Sequence, residues 1–330
     1  MFLPDRKWFR TRDGENWGPT LLLSMKVVCG TDFSMTAARA ADAAAALAAR
    51  TDDTLLLVHV LDLSRYEAPS KKLVAYLLEA RQERLTRETQ RLRKAAASIE
   101  GRLLQGHPAE ELANFSTKSR ADLIVVSSRG HTAPIWWPVG SVAERVAFHS
   151  SVPTMVVRSD QAVKAWITGK RALRVFVGYG FSAASDAALR WIRRLEQIGP
   201  CEITVAALAW PPQKSWHLGI GDHLTTLSAL AQIPASLRQC LEEKCEKLLG
   251  GSKARFRLET ACGRPDAQLM GLARASKADL VVVAASSQQG AEQTWLGSVS
   301  RGLLYYAPFN VVCASPPSSW PRASAHRRFA

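Results

Sequence analysis

The sequence predicts an α/β chain made of two tandem, doubly wound domains, each built on a five-stranded parallel sheet. Three observations carry that expectation. First, KVVCGTDFSMTAARAAD from Lys26 is matched 148 residues later by RVFVGYGFSAASDAALR from Arg174, and LLLVHV from Leu55 by ITVAAL from Ile203 at the same offset. Second, the offset then becomes 157: Gly106-His107-Pro108 matches Gly263-Arg264-Pro265, Ala121-Asp122-Leu123 matches Ala278-Asp279-Leu280, and Gly140-Ser141-Val142 matches Gly297-Ser298-Val299. Third, short β-branched runs alternate with helical patterns within each copy, as parallel strands joined by crossover helices require.

In the first copy, strands are expected near 26–30, 54–60, 99–105, 122–127 and 154–158. Helices are expected between them, near 35–50, 70–95, 108–119 and 140–149. Asp122-Leu-Ile-Val-Val and Asp279-Leu-Val-Val-Val are unbroken apolar runs, the mark of a central strand buried on both faces. The change of offset gives the second copy nine extra residues, best placed in the Pro- and Gly-bearing stretch Trp210 to Pro234. The domains then cover 25–160 and 172–315. A linker at 161–171 joins them, with an arm at 1–24 and a basic tail, expected to be disordered, at 316–330.

A length of 330 residues suits two domains that each bury a core, and 47% hydrophobic with 22% charged residues is a globular balance. The net charge of +14 raises the question of nucleic acid. Much of it, however, lies in Arg81, Arg84, Arg87, Arg91, Arg93 and Lys94, interleaved with Glu79, Glu83 and Glu88 along one expected helix. That pattern reads as a solvated face, so nucleic-acid binding ranks last. The six cysteines form no CxxC pair and no metal-ligand spacing with the seven histidines, which points to cytosolic thiols and no metal site. No stretch approaches the roughly 20 apolar residues that span a bilayer, and the amino terminus lacks the apolar core of a signal peptide. The expectation is a cytoplasmic protein without a membrane partner.

In doubly wound sheets, ligands bind beyond the carboxyl ends of the strands where the winding reverses. Two loops of the first copy should meet there. One carries Gly30-Thr31-Asp32-Phe33-Ser34; the other runs Ser127-Ser128-Arg129-Gly130 and, after nine residues, reaches Gly140-Ser141-Val142 at a helix start. Glycines admit phosphates close to the backbone, and a helix start offers unpaired N–H donors. Asp32 could accept from ribose hydroxyls or an adenine amine, with Val60 supporting the base. Bland readings stand beside these. Ser141-Val-Ala-Glu144 is also a capping-box pattern, and Asp32 could cap the first helix. Arg129 and His131 read as phosphate contacts or as solvated loop residues. His59 and Cys29 read as core, and Trp136, Trp137 and Trp295 as fillers of apolar space or an interface.

VVCGTDFS, the His-Val-Leu end of the second strand, Gly-His-Pro-Ala-Glu-Glu-Leu, and the spacing from Gly130 to Gly140-Ser141 resemble the universal stress protein family over both copies. The resemblance implies a Rossmann-like sheet of strand order 3-2-1-4-5. It also implies an ATP site with base and ribose contacts at Gly30, Asp32 and Val60 and phosphate contacts at Gly130, Gly140 and Ser141; Thr31, Ser127, Arg129 and Val142 beside them are further candidate contacts. Domain pairing through the last strands, Thr154–Arg158 and Asn310–Ala314, is implied as well. Ser127 replaces the first glycine of the family's motif, which puts the loop's backbone angles in question. In the second copy Gly180 replaces the acid, and Ala284 and Ser287 replace two glycines, so that only Gly297-Ser298 remains. The expected function is stress-response regulation through ATP, with or without Mg, held by domain 1. Domain 2 is then a non-binding partner, and a homo-dimer of the chain is a further expected partner. A scaffold without nucleotide is the alternative. No hydrolytic, zinc, Walker or dinucleotide motif is present, so an enzyme is not expected. Slow ATP hydrolysis would lack an identified base.

Overall fold

The structure, a computed structural model, describes residues 25–51, 53–95, 98–130, 139–209, 235–285 and 294–314. The arm, the inserted stretch and the basic tail lie outside the described residues. So do His131, Trp136, Trp137, Ser287 and the side chain of Trp295.

In the first copy β1 (Val27–Gly30), β2 (Leu55–Leu61), β3 (Ile99–Gln105), β4 (Leu123–Ser127) and β5 (Thr154–Val157) alternate with α1 (Met35–Ala48), α2 (Lys71–Leu92), α3 (Pro108–Lys118) and α4 (Ser141–His149). The second copy runs β6 (Leu173–Gly178), α6 (Ala183–Ile198), β7 (Cys201–Ala209), α7 (Ala235–Leu249), β8 (Ala254–Thr260), α8 (Pro265–Ala275), β9 (Leu280–Ala284), α9 (Thr294–Tyr306) and β10 (Asn310–Ala314). Each half has the order 3-2-1-4-5, and the halves merge into one ten-stranded sheet, β3-β2-β1-β4-β5-β10-β9-β6-β7-β8. Strands are parallel within each copy and antiparallel only at the β5–β10 seam. There Met155 faces Val312, its own counterpart in the repeat, so a pseudo-twofold axis passes through the seam. The pairing removes one edge strand from each domain.

Alternation along the central strands explains the double winding. Val27, Cys29, Leu123 and Val125 enter one core with α1, while Val28, Ile124 and Val126 enter the other with α3 and α4. Eight residues of α1 are buried, seven of them alanines, which let the helix lie close on the sheet. At the seam, buried Asn310 accepts through Oδ1 from the amides of Arg158 (2.8 Å) and Ser159 (3.0 Å). Its Nδ2 donates to Ser159 O at 2.8 Å.

The linker is more than a tether. Residues Gln161–Ile167 form α5, which buries Val163, Trp166 and Ile167 in the shared core. Arg50 donates to Ile167 O from Nε (3.0 Å) and Nη2 (2.6 Å), satisfying the carboxyl end of α5. Lys164 pairs with Asp42 of α1 at 2.8 Å.

Candidate functional site

The loop after β1 is fixed by its own polar groups. Thr31 N donates to Val58 O at 2.8 Å, and Thr31 Oγ1 accepts from Phe33 N at 3.0 Å. Phe33 takes the left-handed conformation, φ +63°, and its counterpart Phe181 does the same at +53°. Because both copies share it, the strained turn belongs to the fold. Ser34 caps α1 by accepting from Ala37 N at 3.1 Å. The capping reading of Asp32 is thereby corrected: Asp32 Oδ1 accepts from Ser34 N at 3.0 Å, and Asp32 stands two residues before the cap. The other carboxylate oxygen faces the second loop. A Cβ built on Gly130 would stand 2.7 Å from Asp32 Oδ2.

The loop after β4 is drawn together at its described ends. Ser128 N donates to Val157 O (3.0 Å), and Gly140 N to Ser128 O (2.8 Å). Ser127 ends β4 in regular strand, and its Oγ donates to Arg129 O at 2.7 Å. Neither Ser127 nor Gly130 has positive φ. Serine in place of the motif's first glycine therefore costs no backbone strain and adds a bond across the loop. Thr36 Oγ1 also donates to Arg129 O at 2.7 Å, tying this loop to α1.

Gly140, with φ −71° and ψ 150°, is the N-cap of α4, and Ser141 is its first helical residue. A capping box needs its serine at the N-cap, and Gly140 holds that place, so the capping-box reading does not hold. Its exposed hydroxyl and the first amides of α4 stand at the cavity wall instead.

The two loops enclose a cavity of about 690 Å³, in the size range of small-molecule sites. Gly30, Thr31, Asp32, Val60, Ser127, Gly130, Gly140, Ser141 and Val142 all line it. Arg129 is not among the lining residues; its backbone carbonyl holds the loop. Gly30 packs closely, since a Cβ there would approach Leu112 Cδ2 to 2.8 Å and move that side chain.

The cavity has a second end that sequence reading missed. Arg65, Arg81 and Arg84 line it, with His59 between them and the loops. Among the described residues neither Arg81 nor Arg84 makes an ion pair, whereas Arg87 pairs with Glu83, and Arg91 with Glu88 and Asp42. Arg81 is half-buried and Arg84 exposed, so the solvated-face reading holds for Arg84, and both side chains also line the cavity. One signal was present: the residues three and four places from Arg81 are Leu77, Leu78, Arg84 and Leu85, with no acid among them. Arg84 lies 5.0 Å from the ring centre of Phe33, and that ring lies 4.4 Å from His59.

His59 is buried, and its Nδ1 sits 2.8 Å from Thr31 O. A carbonyl only accepts, so Nδ1 carries the proton. Burial first, and Arg81 and Arg84 further, hold the ring below the usual histidine range, so it stays neutral. Beneath the site, full burial pushes the Cys29 thiol far up, which makes it a core residue and no nucleophile.

The second copy lacks this arrangement. Tyr179 and Gly180 replace Thr31 and Asp32, and the Tyr179 hydroxyl donates to Asp186 Oδ1 at 2.6 Å. Ala207 stands where the first copy has His59. Helix α9 starts at Thr294, so Gly297-Ser298 lies within the helix and not at its start. A cavity of about 280 Å³ beside β6 to β8 involves Arg174, Cys201 and Lys253, at the amino ends of the strands.

Two segments of the chain, residues 24–158 and 172–315, match the family model described as Universal stress protein family. A universal stress protein of Methanocaldococcus jannaschii is 34% identical over 155 residues, covering 46% of this chain and 88% of that protein. Among solved structures, a universal stress protein from Archaeoglobus fulgidus superposes with a TM-score of 0.65 at 18% identity, covering 89% of this chain and 97% of its own. A universal stress protein assigned to Pseudomonas aeruginosa gives 0.58 at 12% identity, covering 90% and 94%. At those identities the superpositions speak for the fold alone. With both segments matched and the same strand order in each, the chain belongs to the universal stress protein family and carries two of its domains in tandem.

Proposed function

We propose that the first domain binds an adenine nucleotide, with ATP the leading ligand, and that the second domain binds none and acts as its partner in a stress-response regulator. The observation that carries this reading is the Asp32 carboxylate set against the Gly130 backbone where β1 and β4 part, in a cavity that also reaches the amino end of α4. The residues fit such a ligand. Val60 would support the base, Asp32 would accept from the ribose, and Gly130, Gly140 and Ser141 would offer close backbone, amides and a hydroxyl to the phosphates, with or without Mg.

A sensor fits these residues better than an enzyme. His59, a titratable ring on the cavity wall, is buried, committed to Thr31 and held neutral, which suits positioning. No helix of the described residues is long and apolar enough to cross a membrane. A cytoplasmic location is part of the proposal. The continuous ten-stranded sheet favours a second reading, a scaffold whose tandem domains present one rigid surface without nucleotide.

A thermal-unfolding titration with Mg-ATP separates the two. Under the nucleotide reading the transition rises with ligand, by about 2.7 kcal/mol of stabilisation at a hundred times Kd. Asp32→Ala abolishes the rise and Gly297→Ala leaves it intact. No rise at millimolar ATP favours the scaffold.

A further inference from the structure

Glu144 and Arg301 are counterparts in the repeat, separated by the same 157 residues as the two Gly-Ser pairs, and they meet across the pseudo-twofold axis. Arg301 Nη2 lies 3.0 Å from Glu144 Oε1. The next pair of counterparts, Phe148 and Tyr305, joins them. The Arg301 guanidinium stands 5.9 Å from the ring centre of Phe148, and burial together with the neighbouring Glu144 carboxylate pushes the Tyr305 phenol up. In a symmetric pairing, residue i meets j while j meets i, so two copies of the first domain would set carboxylate against carboxylate here. The tandem chain sets a cation there.

Glu144 lies in the first turn of α4, the helix whose amino end lines the cavity. A helix start favours negative charge, and an uncompensated carboxylate in its first turn opposes any phosphate held at that end. Helix α9 grips the same region a second time. Arg158, directly after β5, donates from Nη2 to Leu304 O (2.5 Å) and Tyr305 O (3.3 Å) near the carboxyl end of α9. Its neighbour Val157 accepts from Ser128 N in the β4 loop.

We propose that Arg301 of the second domain is a positioning residue for the nucleotide site of the first. It holds and neutralises the Glu144 carboxylate, so that the phosphate end of the cavity meets a helix terminus of net positive character. The second domain has lost its own site and serves that of its neighbour. This rests on the nucleotide reading above, and its effect grows with the number of ligand charges.

Calorimetric titration of the full chain with adenosine, AMP and ATP tests it. In Arg301→Gln the expected loss of affinity is about fivefold for ATP, about twofold for AMP and none for adenosine. Adding Glu144→Gln to that variant restores ATP affinity to within about twofold of the unmodified chain. Arg301→Glu recreates the like-charged pair and steepens the gradient. Equal loss for all three ligands, no loss, or no rescue by Glu144→Gln overturns the proposal. An unmodified chain that binds none of the three overturns the nucleotide reading and this proposal with it. Binding without a charge gradient overturns this proposal alone.

Discussion

The β1 loops of the two copies begin alike and end differently. Both place a phenylalanine in the left-handed region, and both cap the following helix with a serine, Ser34 accepting from Ala37 N and Ser182 from Ser185 N at 3.2 Å. Both tie the amino end of the first strand to an aspartate before the fourth, Lys26 N to Asp122 Oδ2 (3.0 Å) and Arg174 N to Asp279 Oδ2 (3.1 Å). Between those shared features, one loop carries Thr31-Asp32 beside an open cavity and the other Tyr179-Gly180, with the tyrosine buried and bonded to Asp186. Two copies in one chain thus sort residues by job. Those present in both keep the fold, and those present in one build the site.

Substitutions that separate the two sets sharpen this contrast. The largest effect is expected at Gly130. A valine there displaces the Asp32 carboxylate 2.7 Å away and is expected to weaken ATP binding about a hundredfold by calorimetry, with the unfolding temperature of the unliganded chain nearly unchanged. A large fall in that temperature would place Gly130 with the fold.

Asp279 belongs to the fold set. Its carboxyl is held down to about 2, against the pull of its own burial, by hydrogen bonds from Arg171 and Arg174. A carboxylate with a depressed folded pKa contributes stability that is fully present above its unfolded value near 4 and lost as pH falls toward 2. Both arginines are partly exposed, so screening reduces the gain. Asp279→Asn is expected to cost about 1 kcal/mol in urea unfolding at pH 7 and nothing measurable near pH 2. An equal cost at both pH values would show that the charge is not what matters.

The smallest effect is also the most symmetric. Ser34→Ala and Ser182→Ala are each expected to lower stability by about 1 kcal/mol, the usual worth of an N-cap. If Ser34 proved far costlier than Ser182 with no ligand present, it would belong to the site as well.

The repeat and its parallel strands were legible in the sequence, because alternating apolar runs and a fixed offset report which residues must be buried together, while the strand order and the pairing of last strands came from the family resemblance. The two loops were legible as well, since glycines and an acid at a winding reversal have few structural uses. What stayed hidden was set by direction and distance. Arg81 and Arg84 share a helix with salt-bridged arginines, and only packing shows which side of α2 faces the cavity. The starts of α4 and α9 differ by several residues relative to their Gly-Ser pairs, a shift that identical dipeptides cannot reveal. The linker's helical character follows from Trp166 and Ile167 finding a core that only the folded pair supplies.

The central claim is that one site exists per chain and that it contains Asp32. Calorimetric titration with Mg-ATP, read for stoichiometry, tests it most directly. The account predicts one nucleotide per chain for the unmodified protein and for Gly297→Ala, and none for Asp32→Ala. Two nucleotides per chain, or a single one that survives Asp32→Ala, would contradict it.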